Sequence, residues 1–509
     1  MTDAQLASPW NIAGWALCTA LFAASLPKRL AIWSAWAQLL VLPMTIGWVG
    51  AVVVSGAGPS VASTASITAG AFREVLTAGR LALDRPIFVL VVILSLASII
   101  WAIRAVRTMP DALPRWATPI TLCCMLALSI TAMDAMGLHS LARLATPESK
   151  VSVPWLSHLE IFKEETNQLL SWLANGNTTS NQTSRTVSAA PHLFDMEPGL
   201  AVFMVGESLR ADALIQPHRG PWSDELLKRL QSGLGVRLND ACSGGNATFV
   251  SVPRLLTAVD VSDEKGAAEN PTILALAHAA GAKTAYINNH EVWVVPELGH
   301  DFMLKTSSMQ INTYDEVAID AMSEFVARTP ARSKAVLVHF YGQHFNYEDR
   351  YPKNLFPPEP GGLSDDALFE LRYARAAENG ARVLVLAARV LDTQTEPAFL
   401  IFTSDHGENL PSDKTGKRLH AGAFVGRYDT TVPALVLWNA AFAAIGRAQQ
   451  LAPLLKATGL IAHRDVANAW LQLAGMHDAL TVTADPKTYG ASGLASQTTN
   501  SIACSQLPP

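Results

Sequence analysis

Asp405 and His406, an adjacent acid and imidazole, stand where the apolar run AFLIFT gives way to SDHGEN. A run of this kind bounded by polar residues reads as a buried parallel strand, so both side chains emerge at its carboxyl end, where open α/β sheets place their ligands. Adjacent oxygen and nitrogen donors there suggest a metal; the simpler reading is an Asp that caps a following helix. A second run, LAVFMVGESLRAD, delivers Glu207 and then Ser208 in the same setting. A third segment, ACSGGNATFVSVPRLL, is small and glycine-rich as far as Thr248 and then apolar, with Pro253 suited to the first turn of a helix. Thr248 therefore falls near a helix start. Its hydroxyl is a poor nucleophile unless a cation or a positive helix end stabilises the alkoxide. Glu207, Thr248, Asp405 and His406 have the donor chemistry of a zinc shell.

The strings VGESLRA, ATFVSVP, FYGQH, SDHGENL and LHAGAF, in this order, resemble the phosphoethanolamine transferases of the alkaline phosphatase superfamily, over about residues 198–440. The resemblance implies that Glu207, Asp405 and His406 bind zinc, with Thr248 both nucleophile and fourth ligand. It aligns His344 and His420 with histidines that contact the phosphoryl group or a second zinc, so one Zn²⁺ or two. Asn289 in AYINNH falls near a family Asn that lines the site. In the loop 55–86, Thr68 and Glu74 lie where the family holds the donor headgroup, without the matching Asn; an amphipathic interfacial helix fits the same string, SITAGAFREVL. The donor implied is a membrane phospholipid, phosphatidylethanolamine, and the acceptor an envelope glycolipid or glycan such as lipid A.

These residue types suit phosphoryl transfer, which needs positioning and charge neutralisation more than elaborate covalent machinery. His344 or His420 would protonate a departing oxygen, since imidazole changes charge near neutral pH. His339, inside KAVLVHF, is either part of the site or simply buried and hydrogen-bonded; Glu408 is either a supporting partner or a helix-start acid. The cysteines depart from the family. The family disulfide from the position of Cys242 would end at Arg254 here and cannot form. Cys242 reads as an ordinary loop cysteine, with pairing to Cys504 and a thiolate approach to the metal left open.

The elements that must position these residues divide in two. Half of the residues are hydrophobic, a figure raised by an amino-terminal third with apolar stretches at 11–26, 30–54, 87–103 and 117–138. Lys28 and Arg29, and then Arg104, Arg107 and Arg115, mark two cytoplasmic connections and put both termini outside. The expectation is an N-terminal α-helical transmembrane bundle over 1–140 and a C-terminal α/β sandwich of the alkaline phosphatase/sulfatase type over 196–509. Between them, 141–195 holds a membrane-proximal helix and a Ser/Thr/Asn-rich linker. Together with the resemblance, this implies a monomeric protein in a bacterial inner membrane with its catalytic domain in the periplasm, and no nucleic-acid partner. A true sulfatase would need C/S-x-P-x-R, which the sequence from Cys242 to Asn246 does not offer. The competing readings are a phosphoglycerol transferase of the lipoteichoic-acid synthase type and a catalytically silent membrane-anchored regulator.

Overall fold

The computed structural model describes residues 196–476, with breaks at 216–219, 291–299, 306–313 and 422–424 and at a few single positions, and scattered helical positions between 83 and 104. The chain divides into two compact units, 1–174 and 175–509. The expected spans lie outside the described residues apart from those scattered positions, as do the 151–173 helix, the linker, Thr68 and Glu74. No helix among the described residues is long and apolar enough to cross a membrane.

A seven-stranded sheet organises the second unit. In chain order its strands are β1 (Gly199–Gly206), β2 (Gly235–Arg237), β4 (Lys283–Asn288), β5 (Phe302–Lys305), β6 (Ser333–His339), β7 (Ala398–Ser404) and β9 (Ala434–Trp438). Their order in space is β2-β9-β7-β1-β6-β4-β5. The central strands β7, β1, β6 and β4 run parallel, whereas β9 is antiparallel to β7. A small sheet joins β3 (Ala241–Cys242), β8 (Thr431–Val432) and β10 (Ile461–Ala462).

The principal helices are α1 (Pro221–Gln231), α2 (Thr248–Leu256), α3 (Ile273–Ala279), α4 (Glu316–Arg328), α5 (Asp365–Asp392) and α6 (His463–Leu473). Every residue of β1 and β7 is buried, because helices cover both faces of the sheet. Alternation then splits β1 between two cores: Phe203 and Val205 pack with residues of α2 and α6, and Val202 and Met204 with those of α4 and α5. Trp470 of α6 meets Phe203 edge-on at 6.3 Å, a contact of about 0.5–1.5 kcal/mol beyond its area burial. Ser364 begins α5 by accepting from Ala367 N, with Asp365 and Asp366 in the positive first turn. That helix reaches the site through Tyr373, whose hydroxyl donates to Ser208 O and accepts from Arg210 N.

Two sequence expectations need correction. Pro253 is the sixth residue of α2, not part of its first turn: Ala247 O already accepts from Val250 N and Ser251 N, so the helix is under way from Thr248. Cys242 is disulfide-bonded, to a partner outside the described residues. A sulfur held in a disulfide is neither an unpaired loop thiol nor a thiolate that approaches a metal.

Candidate metal and nucleophile site

Glu207 and Asp405 each follow directly on one of two adjacent parallel strands, β1 and β7, and Asp405 N donates to Gly206 O at 3.0 Å. The ends of these strands are tied together. Ser208 N donates to Asp405 Oδ1 at 3.1 Å and Ser208 Oγ to Glu207 Oε1 at 2.7 Å. Ser208 takes the left-handed conformation at φ 56°, a cost of roughly 1–2 kcal/mol for an L-residue that these bonds offset. Two glycines permit close approach: a Cβ on Gly342 would lie 2.8 Å from Glu207 N, and one on Gly407 2.2 Å from Tyr428 O.

Thr248, the first residue of α2, places Oγ1 3.0 Å from Glu207 Oε2 and 3.3 Å from His406 Nε2. His406 Nε2 is also 3.3 Å from Glu207 Oε1 and 3.2 Å from Asp405 Oδ2. For donors about 2.0–2.1 Å from a tetrahedral zinc, ligand–ligand separations are about 3.3 Å, so these spacings suit such an ion. His406 Nδ1 is hydrogen-bonded to Gly407 O at 2.9 Å, which leaves Nε2 as the nitrogen a metal ion could take. Asp405 Oδ1 accepts from the backbone of Ser208 and His406, while its buried Oδ2 accepts no hydrogen bond. Such an orphaned carboxylate oxygen is what a cation would satisfy.

The charges point the same way. Burial pushes Glu207 up, but the His406 charge and hydrogen bonds from His290 and His406 hold it well below the ordinary carboxylate range. Asp405 is pushed well above that range by burial and by Glu207. Burial lowers His406, yet the two carboxylates raise it to about 10. Without a metal, His406 therefore carries a proton throughout neutral pH, which an incoming divalent ion must displace. Metal affinity is expected to rise by about tenfold per pH unit for each proton released, and to fall as the medium turns acidic. Competition against a chelator of known affinity between about pH 6 and 8 measures that slope; a flat profile contradicts it.

Around this centre stand further side chains. His420 lies with its ring centroid 4.1 Å from that of His406 and its Nδ1 3.3 Å from both Ser208 Oγ and Glu408 Oε2. Burial and the His406 charge lower its pKa. Glu408 is buried and accepts from Tyr347 OH at 2.9 Å, so it supports His420 and caps no helix. His344 follows β6, with its ring 6.2 Å from that of His420. Asn289 donates to Asp315 Oδ1 at 2.7 Å, and Asp315 accepts from Tyr341 N and Gly342 N, which fixes the loop that carries His344.

His290 did not emerge from the sequence. It lies just past β4, buried, with Nε2 3.1 Å from Glu207 Oε2 and its ring stacked 4.6 Å from that of His339. Glu207, His406 and His420 form one group able to hold a metal ion; Glu207, His290 and His344 form another.

Residues 200–476 match the sulfatase family. The chain belongs to that family, within the alkaline phosphatase superfamily. Phosphoethanolamine transferase CptA of Salmonella typhimurium is 27% identical over 265 residues, 48% of this chain and 45% of the relative. The phosphoethanolamine transferase EptC of Escherichia coli is 23% identical over 266 residues, with the same shares. The matched part thus spans about half the length of these curated relatives. The zinc complex of the C-terminal periplasmic domain of EptC from Escherichia coli has the same fold, with a TM-score of 0.50 at 20% identity over 61% of this chain and 94% of that one. The integral membrane lipooligosaccharide phosphoethanolamine transferase A of Neisseria meningitidis gives a TM-score of 0.62 at 17% identity, over 86% of this chain and 84% of that one.

Proposed function

We propose that this sulfatase-family protein transfers phosphoethanolamine from a membrane phospholipid, phosphatidylethanolamine, to an envelope acceptor such as lipid A or another glycan. The observation that carries the reading is the position of Thr248 Oγ1, in contact with both Glu207 Oε2 and His406 Nε2 at the start of a helix. Relatives named phosphoethanolamine transferases support the group transferred, and the zinc complex of one of them supports the metal. Glu207, Thr248, Asp405 and His406 would hold Zn²⁺, which supplies positive charge that lowers the pKa of the Thr248 hydroxyl and offsets charge on the phosphoryl oxygens.

Thr248 Oγ1, attacking as the alkoxide after its proton has passed to solvent, bonds to the donor phosphorus, the bond to the diacylglycerol oxygen breaks, and phosphoethanolamine is left on the threonine. His420, held through Glu408 and Tyr347, gives a proton to the departing alkoxide and takes one from the acceptor hydroxyl in the second displacement. That acceptor oxygen then forms the new bond to phosphorus and Thr248 is released. His344, its ring 6.2 Å from that of His420, steadies a phosphoryl oxygen, and Arg350 fixes its backbone by donating to His344 O. The amino-terminal apolar stretches would anchor the chain in an inner membrane, with this chemistry in the periplasm beside the lipid donor. Mass spectra of envelope lipids and glycans from cells with and without the protein test the reading. A phosphoethanolamine adduct that disappears with the protein is expected; identical spectra contradict it.

A further inference from the structure

Thr248 and the pair Asp405-His406 come from distant parts of the chain, and a buried carboxylate outside the site joins the loops that carry them. Asp429, 1% exposed, lies in the turn that leads into β8. That strand is antiparallel to β3, whose end opens the loop 243–247 ahead of Thr248. Asp429 Oδ2 accepts from Asn246 Nδ2 at 3.2 Å and Oδ1 from Gly426 N at 2.7 Å, while the Asp429 carbonyl accepts from Gly407 N at 3.0 Å. Gly407 directly follows His406, and Asn246 stands two residues before Thr248. Asp429 is therefore bonded to the nucleophile loop through its side chain and to the loop of Asp405 and His406 through its backbone.

The surrounding contacts leave little slack. Glu408 N donates to Tyr428 O at 3.0 Å, Ser243 N to Thr430 O at 2.8 Å and Ala421 N to Asn246 O at 2.8 Å. Any residue could make these backbone bonds, whereas the bond between Asn246 and Asp429 depends on these two side chains. Asn246 is as deeply buried as Asp429, so breaking that bond leaves a polar group without water to replace its partner.

We propose that Asn246 and Asp429 are a positioning pair for the nucleophile, fixing where Thr248 Oγ1 stands relative to Asp405 and His406. Neither side chain touches the reacting atoms. Ala247, between Asn246 and the first residue of α2, is extended at φ −151°, so a displacement of Asn246 reaches Thr248 through a single residue. Thr248 Oγ1 is 3.0 Å from Glu207 Oε2 and 3.3 Å from His406 Nε2, and a misplacement of about 1 Å in such a constellation can cost about 10²-fold in rate. The displaced hydroxyl would still be present but off the line of attack on phosphorus.

The inference rests on the transferase reading proposed above, and one experiment separates the two. Full-length wild type and variants, each measured for zinc per chain and melting temperature, are mixed with phosphatidylethanolamine in detergent without acceptor. The rate of adduct formation is followed by mass over a range of donor concentrations. Asp429→Asn keeps an oxygen for Gly426 N but sets its amide against that of Asn246, and Asn246→Asp sets two carboxylates together. Each single change should slow adduct formation at saturating donor by about 10- to 100-fold, with the half-saturating donor concentration and the zinc content unchanged. The two changes combined restore the bond with its polarity reversed and should recover most of that loss. If Asn246→Asp does not fold, Asn246→Ala removes the donor without adding a charge and should be slowed likewise. Single variants that load at the wild-type rate, or that lose zinc in step with rate, overturn the pair alone, as does a combined variant no faster than either single one. A wild type that forms no adduct overturns the transferase reading and, with it, the role of the pair.

Discussion

Thr248→Ala is expected to lower transfer by roughly 10⁴-fold or more, the scale on which loss of a covalent nucleophile acts, while zinc stays bound through Glu207, Asp405 and His406. Retained metal makes the loss chemical rather than structural, so turnover and metal content are measured on the same preparation. Thr248→Ser keeps a hydroxyl but loses the methyl group that restricts χ1, and should retain turnover reduced by up to about 10²-fold. A transferase that loses its threonine and continues at the wild-type rate would have no need of the α2 start.

The second large effect concerns Asp405, whose two oxygens do different work. Oδ1 accepts from Ser208 N and His406 N and so holds the strand ends together, whereas Oδ2, 3.2 Å from His406 Nε2, is the oxygen left for the proposed zinc. Asp405→Ala removes both, leaving two buried N–H groups without an acceptor at about 1–3 kcal/mol each, and should lose stability, zinc and activity at once. Asp405→Asn is more informative because its carbonyl oxygen can replace Oδ1. It should keep the melting temperature of the metal-free wild type, yet lose zinc affinity by more than the 10–100-fold typical of partners outside the ligand shell, and transfer with it. Thermal melts and chelator competition on both variants check this; an Asp405→Asn protein with normal zinc affinity would remove Asp405 from the shell.

The candidate site was legible where it sits at the ends of long apolar runs. β1 and β7 are buried on both faces, so their sequences are unbroken runs, and the polar residue that ends each one, Glu207 or Asp405, falls at the strand terminus. Thr248 could be placed near a helix start from the change of glycine-rich to apolar sequence, although Pro253 suggested a later first turn than the one Ala247 O establishes. His290 was hidden because its place beside Glu207 depends on β4 lying two strands from β1, which no local pattern encodes. The signal was nonetheless present, since KTAYIN is a short, mostly buried strand and His290 follows it much as Asp405 follows β7. In the fold the Asn289 amide, beside that imidazole, is bound to Asp315. The Glu408–Tyr347 contact joins residues 61 apart in sequence and equally needed the fold to be seen.

The central claim is that Thr248 carries the transferred group, and incubation of the wild-type protein with phosphatidylethanolamine in the absence of acceptor tests it most directly. Mass analysis of the intact protein and then of its peptides should find one added phosphoethanolamine, confined to the peptide with Thr248, missing from Thr248→Ala, and discharged when acceptor is supplied. The nearby hydroxyls are occupied otherwise: Ser243 Oγ has Gly245 O and Asp405 O as acceptors for its one proton, and Ser251 Oγ donates to Thr248 O. An adduct found only on Ser243 or Ser251, or unchanged turnover by the Thr248→Ala protein, would contradict the account.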